Sequence, residues 1–397
     1  MFSPSDFPIL SNNPWLIYLD GAATAPKPSY VIEGVDYFLT HSYANIHRGQ
    51  YGLALESERL YRACKEKVAQ RINAKTEEII FTANSTDASN LLIDLIRRNK
   101  LIQQDEVILL SIAEHHANIV PWQMLCEEIG CRIERIDLDK DFDLEIEDFW
   151  QKYWNQVKIV ALSAVSNVTG TIHNLWAIKA LLRPDTLFIV DASQSIPHIP
   201  LDVQALGCDF CYFTGHKLYA YTGIGVLYGK KSLLQQLQPT RWGGGMIDEV
   251  TMQWWTSQWL PDRFEAGTPN LVGIVSLLKA LEYMELNGGY EAMQSIEFPL
   301  VKVLCDFFWQ NKNFSLLGTI NPDKRVGVFS FTRDGASMVS LWQQLAQDNI
   351  CVRTGGQCAH PLHHAYQLSN ASCRISVGVW NSLSEIEKVT RMLEYQK

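Results

Sequence analysis

Between residues 75 and 230, short apolar runs alternate with amphipathic stretches, and this alternation narrows the fold more than any other feature. Glu78-Ile79-Ile80-Phe81, Val107-Ile108-Leu109-Leu110, Ile159-Val160-Ala161-Leu162 and Leu187-Phe188-Ile189-Val190 read as buried strands. The intervening stretches 88–98 and 120–129 carry helical periodicity. Strands alternating with helices imply an α/β fold, a parallel sheet covered by helices, with ligands at the carboxyl ends of its strands. Past about residue 285 the pattern changes. A strand at 326–331, a helix near 338–348, a further strand and a terminal helix, with a capping start at Ser384 and Ile386, Val389 and Leu393 on one face, indicate a smaller α+β unit. The expected division is a large domain over 17–284 and a small C-terminal domain over 285–397, to which the segment 1–16 is joined.

Two segments place chemistry at neighbouring strand ends. Asp191 closes the run Leu187–Val190 within Val190-Asp191-Ala192-Ser193-Gln194, and Lys217 follows Phe210-Cys211-Tyr212-Phe213 within Thr214-Gly215-His216-Lys217. An amine and a carboxylate so placed suit pyridoxal 5'-phosphate, which needs a lysine for its aldehyde and an acid for its ring nitrogen. A plain buried Asp–Lys pair is the structural alternative. Asn84-Ser85-Thr86-Asp87 precedes a helix and offers hydroxyls and free amides either as a phosphate cradle or as an ordinary cap. Thr214 and His216 would add donors to the same phosphate. In Glu114-His115-His116 the adjacent imidazoles point to opposite sides, and His115 is the one expected to face the pocket.

Arg353-Thr354-Gly355-Gly356-Gln357-Cys358-Ala359-His360 sets a cysteine just beyond a flexible turn, where Arg353 and nearby imidazoles favour its nucleophilic thiolate. Cys358, His360, His363 and His364 lack the spacing of a tetrahedral metal set. Cys208 and Cys211 have C-x-x-C spacing but open an apolar strand with no second pair nearby, so they read as core residues rather than a metal or redox site. Arg374, at the start of an expected strand, is a candidate for gripping a substrate carboxylate or for an inter-domain salt bridge. Tryptophans crowd 242–259 beside Gly243-Gly244-Gly245, as a subunit contact or as packing within the chain.

Composition removes several classes. With 43 acidic against 34 basic side chains the net charge is −9, the opposite of a nucleic-acid footprint. No apolar run is long enough to cross a bilayer, and the first seven residues lack the basic start and apolar core of a secretory signal. Nine scattered cysteines in 397 residues do not form a disulfide framework, so a cytoplasmic setting is expected.

With those residues assembled, the chain resembles the cysteine desulfurases of the class V aminotransferase group, fold type I, and within it the SufS/CsdA-like branch that includes selenocysteine lyases. The resemblance spans nearly the whole chain. Tyr18-Leu19-Asp20-Gly21-Ala22-Ala23-Thr24, Asn45-Ile46-His47-Arg48-Gly49, the stretch 114–122, Ser166-Asn167-Val168-Thr169-Gly170, the stretches 191–194 and 214–217, Phe264-Glu265-Ala266-Gly267-Thr268-Pro269-Asn270 and 353–361 follow in family order. The resemblance implies Lys217 as the lysine bonded to pyridoxal phosphate, Asp191 on the ring nitrogen, Gln194 on the ring hydroxyl and His115 stacked on the ring. It implies Ser85, Thr86, Thr214 and His216 around the phosphate, with Thr268 supplied by the other subunit of a homodimer. Asn167, Arg374, Ala23 and Arg353 would bind substrate, and Cys358 would accept the sulfur.

The implied reaction removes sulfur from L-cysteine. Lys217 takes the α-proton, His115 shuttles protons, Cys358 is left as a persulfide and alanine is released. The sulfur then passes to a SufE/CsdE-like acceptor protein for iron–sulfur cluster or other sulfur-cofactor synthesis. The alternatives are a selenocysteine lyase, another class V aminotransferase or epimerase, and a non-catalytic cofactor-binding scaffold. The chain departs from the family pattern at Asn84 (usually Gly), Ser85 (often Thr), Thr214 (usually Ser), the Gly-rich stretch 243–247, which is one residue short, and Gly356-Gln357, in place of a histidine-containing pair.

Overall fold

The computed structural model describes residues 1–146, 155–335, 337–368 and 372–395. Its centre is a seven-stranded sheet in the order β2-β8-β7-β6-β5-β3-β4. These strands are β2 (Ile79–Thr82), β3 (Val107–Ser111), β4 (Arg132–Ile136), β5 (Val157–Ser163), β6 (Leu187–Asp191), β7 (Phe210–Thr214) and β8 (Gly225–Gly229). From β4 across to β7 every neighbouring pair is parallel. Helices cover both faces, which is why β3, β7 and β8 are buried at every position and read as unbroken apolar runs. Strand β8 breaks the pattern, running antiparallel to both β7 and β2. The connection from Thr214 to Gly225 is too short for a helical crossover, so the chain can only turn back on itself.

A second sheet, antiparallel in the order β11-β12-β15-β14, forms the smaller unit. Its strands are β11 (Phe314–Leu317), β12 (Val328–Arg333), β14 (Arg353–Gly355) and β15 (Ser372–Ser376). The helices Gly289–Gln310, Met338–Gln347 and Leu383–Tyr395 enclose a separate core that includes Leu304, Phe308, Phe329, Phe331, Leu345 and Leu393. The last of these helices starts earlier than the sequence indicates. Its capping box is made by Ser382, whose Oγ accepts from Glu385 N at 3.3 Å while Glu385 accepts from Ser382 N at 2.7 Å.

The N-terminal stretch divides between the two cores in the reverse of the expected grouping. Phe2 and Phe7 insert into the large core, where Phe2 meets the Tyr283 ring edge-on at 5.4 Å. Residues Ile17–Tyr18 (β1) instead pair with Ile350–Cys351 (β13), and Ile17 and Leu19 are buried in the small core. The cause is burial: two phenylalanines within the first seven residues find apolar cover beneath Tyr219 and Tyr283, while β13 offers β1 a partner edge.

The tryptophan-rich stretch forms a two-stranded hairpin, β9 (Ile247–Val250) with β10 (Trp255–Ser257). Trp242, Trp254, Trp255 and Trp259 are all exposed, Trp259 at 88 %, so each ring leaves a large part of its surface uncovered by the described residues. Cys208 and Cys211 lie fully buried in the large core.

Candidate active site

The parallel strands deliver their side chains to one edge of the large sheet. Asp191 ends β6, level with Ser163 of β5 and Tyr212 of β7. His115 follows β3, Asn167 follows β5, and the turn Gly215–Lys217 follows β7. Ser85 opens the helix Ser85–Arg98, whose cap is Asn84: its side chain accepts from Asp87 N at 2.9 Å. The asparagine thus occupies its turn by capping it.

Ser85, His115, Asn167, Asp191, Gln194 and Lys217 line one small pocket. Lys217 Nζ donates to Gln194 Oε1 at 3.3 Å. Burial pulls its ammonium down to about 8, with Asp191 acting in the opposite direction. Burial also pushes the Asp191 carboxyl above its ordinary range, against the hydrogen bond from Ser193 and the charge of Lys217. His115 is held at about 3 by burial and by the Lys217 charge, so the ring is neutral near pH 7. Its Nδ1 accepts from Ala117 N at 3.1 Å, which leaves the ring proton on Nε2. Beneath it Glu114, completely buried, accepts from the hydroxyls of Ser111 and Ser163 at 2.5 Å each and from Asn118 at 2.8 Å, bracing β3 against β5.

The small pocket opens into a cleft of about 1080 Å³, whose far wall belongs to the small sheet. There Arg353 and Arg374 stand opposite each other on β14 and β15. Both reach Asp20: Arg353 through two bonds at 3.1 and 2.7 Å, Arg374 through one at 3.4 Å. Two guanidiniums sharing one carboxylate leave a net positive charge facing the cleft. Arg374 is 3 % exposed, its Nε has no partner among the described residues, and burial pulls it down to about 10. That combination suits an incoming carboxylate.

Cys358 enters the same cleft from a tightly held loop. Gln357 and Cys358 both adopt left-handed backbone (φ 49° and 56°), uncommon for residues other than glycine. Two bonds from residues that follow strands of the large sheet fix this shape: Asn167 Nδ2 donates to Gln357 O, and His116 N donates to Cys358 O, both at 2.7 Å. The thiol itself is exposed. His116, unlike His115, sits at the rim, where its Nε2 accepts from His360 N at 3.2 Å.

The donor set fits a flat phosphorylated aldehyde. Among the described residues Thr214 Oγ1 is buried without a partner, and the cleft presents Ser85, Thr86, Thr214 and His216 around a helix N-terminus. An amine and an acid lie below.

The sequence profile described as Aminotransferase class-V matches residues 17–389. The chain belongs to the class V aminotransferase family. Among curated relatives, a protein of Yersinia pseudotuberculosis serotype O:1b named cysteine desulfurase is 39 % identical over 397 residues, covering 98 % of this chain and 96 % of that one. A probable cysteine desulfurase of Vibrio cholerae is 37 % identical over 385 residues, covering 96 % and 93 %. Among solved structures, the apo cysteine desulfurase of Thermococcus onnurineus superposes with TM-score 0.92 at 33 % identity, covering 98 % of this chain and 96 % of that one. The cysteine desulfurase CsdA of Escherichia coli, an S-sulfonic acid form, superposes with TM-score 0.89 at 32 % identity, covering 99 % and 98 %.

Within this class V fold, one residue singled out by sequence stands apart. Thr268 lines a different cavity, with Asn45, His47, Arg48, Gly244 and Gly245, and is not among the residues lining the cleft. Ala23, Arg353, Arg374 and Cys358 do line the cleft. Asp20 and Glu114 enter the sequence reading only within motifs, yet Asp20 holds the two arginines and Glu114 braces the turn that carries His115. The sequence offers one signal for Asp20, an acid directly after the apolar pair Tyr18-Leu19, and it went unused.

Proposed function

We propose that this chain is a pyridoxal-phosphate-dependent cysteine desulfurase. The observation that carries the reading is the facing of a depressed amine, Lys217, and an exposed thiol, Cys358, across one cleft beside the arginine pair. Lys217 would bond the cofactor, Asp191 meet its ring nitrogen and Gln194 its hydroxyl, with His115 over the ring. Ser85, Thr86, Thr214 and His216 would hold the phosphate. When bound, the cofactor supplies an electron sink for a carbanion at Cα.

Arg374 takes the carboxylate of L-cysteine, with Arg353 and Asp20 fixing its direction and Ala23 and Asn167 closing the sides. Lys217, near 8, moves the α-proton at Nζ. The Cys358 thiolate attacks the substrate sulfur: the new S–S bond forms as the C–S bond breaks, and the carbon fragment leaves as alanine after protonation. Cysteine and a thiol thereby become alanine and a persulfide, with no external oxidant. Neutral His115, its Nδ1 occupied by Ala117 N, keeps Nε2–H as a hydrogen-bond donor to the reacting groups.

The wider assignments belong to the same reading. A homodimer would cover the exposed tryptophan hairpin and bring Thr268 of one subunit to the phosphate of the other. The persulfide would pass to a SufE/CsdE-like acceptor for iron–sulfur cluster or other sulfur-cofactor synthesis. Nine free thiols suit a cytoplasmic setting, and among the described residues no helix is long and apolar enough to cross a membrane. The relatives above carry the desulfurase name, and nothing in them favours a selenocysteine lyase, an aminotransferase or an epimerase. The test is incubation with L-cysteine and a reductant, measuring alanine and sulfide. Wild type forms both and Lys217→Ala forms neither; a Cys358→Ala protein as active as wild type would end the desulfurase reading.

A further inference from the structure

The carbonyl oxygen of His216, one peptide before Lys217, accepts three hydrogen bonds. Lys27 Nζ donates at 2.9 Å, Ala25 N at 3.1 Å and Thr24 Oγ1 at 3.2 Å. Lys27 spends a second donor on Ala25 O at 2.7 Å. Among the described residues no carboxylate pairs with this amine. A cation held out of water by backbone carbonyls alone is costly unless its bonds are well made. Pro26 and Pro28 flank it and stiffen the strap by fixing their own backbone angles. The same strap begins at Asp20, which grips Arg353 and Arg374. One short segment therefore ties the arginine wall to the lysine turn.

We infer that Lys27 is a positioning residue for Lys217, clamping the His216–Lys217 peptide so that the Lys217 amine is held at a fixed distance from the arginine pair. The inference rests on the desulfurase reading for its purpose, but the clamp itself belongs to the protein without cofactor. Besides the bonds from Ala25 N and Thr24 Oγ1, the turn it secures is held by Leu218 N and Ala220 N donating to Gly215 O and by Gly215 N donating to Ile224 O. The titratable group facing Lys27 is the His216 imidazole, kept at about 4 by burial and by the charges of Lys217 and Lys27. Burial brings Lys27 itself down to about 8.

The test compares Lys27→Met and Lys27→Arg with wild type, all without cofactor. Amide exchange in the peptide 214–220 should be about tenfold faster in Lys27→Met, the scale of one charge-assisted hydrogen bond, and stay within about twofold of wild type in Lys27→Arg. The His216 midpoint, followed by NMR, should rise in Lys27→Met, because removing a cation favours the charged imidazole, and remain low in Lys27→Arg. From pH 8 upward the wild-type turn should loosen as Lys27 loses its proton, whereas Lys27→Arg should not. Loaded with pyridoxal phosphate, Lys27→Met should form alanine about tenfold more slowly, with Lys27→Arg restoring the rate. Unchanged exchange and an unmoved His216 in Lys27→Met overturn the inference. If that variant does not fold, a Lys27→Arg turn that loosens above pH 8 like wild type overturns it equally. A failed desulfurase reading would show differently, as no alanine from wild type while the clamp signals persist.

Discussion

The floor of the cleft and the loop that overhangs it are built on opposite terms. The floor is a set of parallel strand ends, with Asp191, Ser163 and Tyr212 in register and Glu114 satisfied by four donors beneath. Its groups are buried, and burial shifts Lys217, His115 and Asp191 in the directions an apolar medium dictates. The loop is short, exposed at its thiol and held in left-handed backbone by two borrowed hydrogen bonds. A rigid floor suits chemistry that must not let charges wander. A thiol that first attacks inside the cleft and then hands on its sulfur outside needs a loop that is ordered but weakly owned.

The largest effects should come from breaking either side outright. Lys217→Ala and Cys358→Ala should each lower alanine formation from L-cysteine by about a thousandfold or more, since each removes the reacting atom. They should differ in the cofactor: Cys358→Ala should retain a yellow, lysine-bound form that a visible spectrum detects, and Lys217→Ala should not. Next comes the wall between them. Arg374→Met strips a buried guanidinium from its substrate carboxylate and leaves Asp20 with Arg353 alone. About 2–5 kcal/mol of kcat/KM should be lost, chiefly through KM for L-cysteine. A Michaelis curve unchanged in KM would move the carboxylate elsewhere.

The floor also makes a stability prediction. Lys217 titrates near 8 in the folded chain and near 10.5 when exposed, so below pH 8 folding buries a charge at a cost of about 3 kcal/mol. The unfolded chain binds more protons between pH 8 and 10.5, so stability gained by this group rises with pH across that window. Cofactor-free Lys217→Met should accordingly be more stable than wild type to urea at pH 7, and the difference should close as pH approaches 10.5. An advantage that stays constant with pH would mean that repacking, not charge burial, sets it.

The floor was legible in sequence because its determinants are local. Apolar runs fix the strands, and the residues directly after them fall at strand ends, as Asp191 and Lys217 do. The overhanging side was less so. Asp20 meets Arg353 across 333 positions of chain, and no spacing encodes that contact. The left-handed backbone at Gln357 and Cys358 is invisible because neither is glycine; it is imposed by Asn167 and the His116 peptide. The split of the N-terminal stretch between cores likewise depends on which apolar surface Phe7 and Leu19 meet after collapse.

The finest test of the contrast is Asn167→Ala. It deletes the donor to Gln357 O but leaves the backbone bond from His116 N to Cys358 O, so one of the loop's two moorings is kept. A buried amide–carbonyl bond contributes about 1 kcal/mol, so the loop should sample other backbone shapes without unmaking the floor. Global stability should fall by about 1 kcal/mol or less, and the Lys217–cofactor spectrum should be unchanged. Alkylation of Cys358 by iodoacetamide should quicken several-fold, to a limit of about tenfold, because the thiol spends more time outside the cleft. Faster alkylation with slower alanine formation would show that the loop's value lies in being held. Alkylation at the wild-type rate would mean that the His116 peptide alone sets the Cys358 backbone, and that the Asn167 amide serves the floor instead.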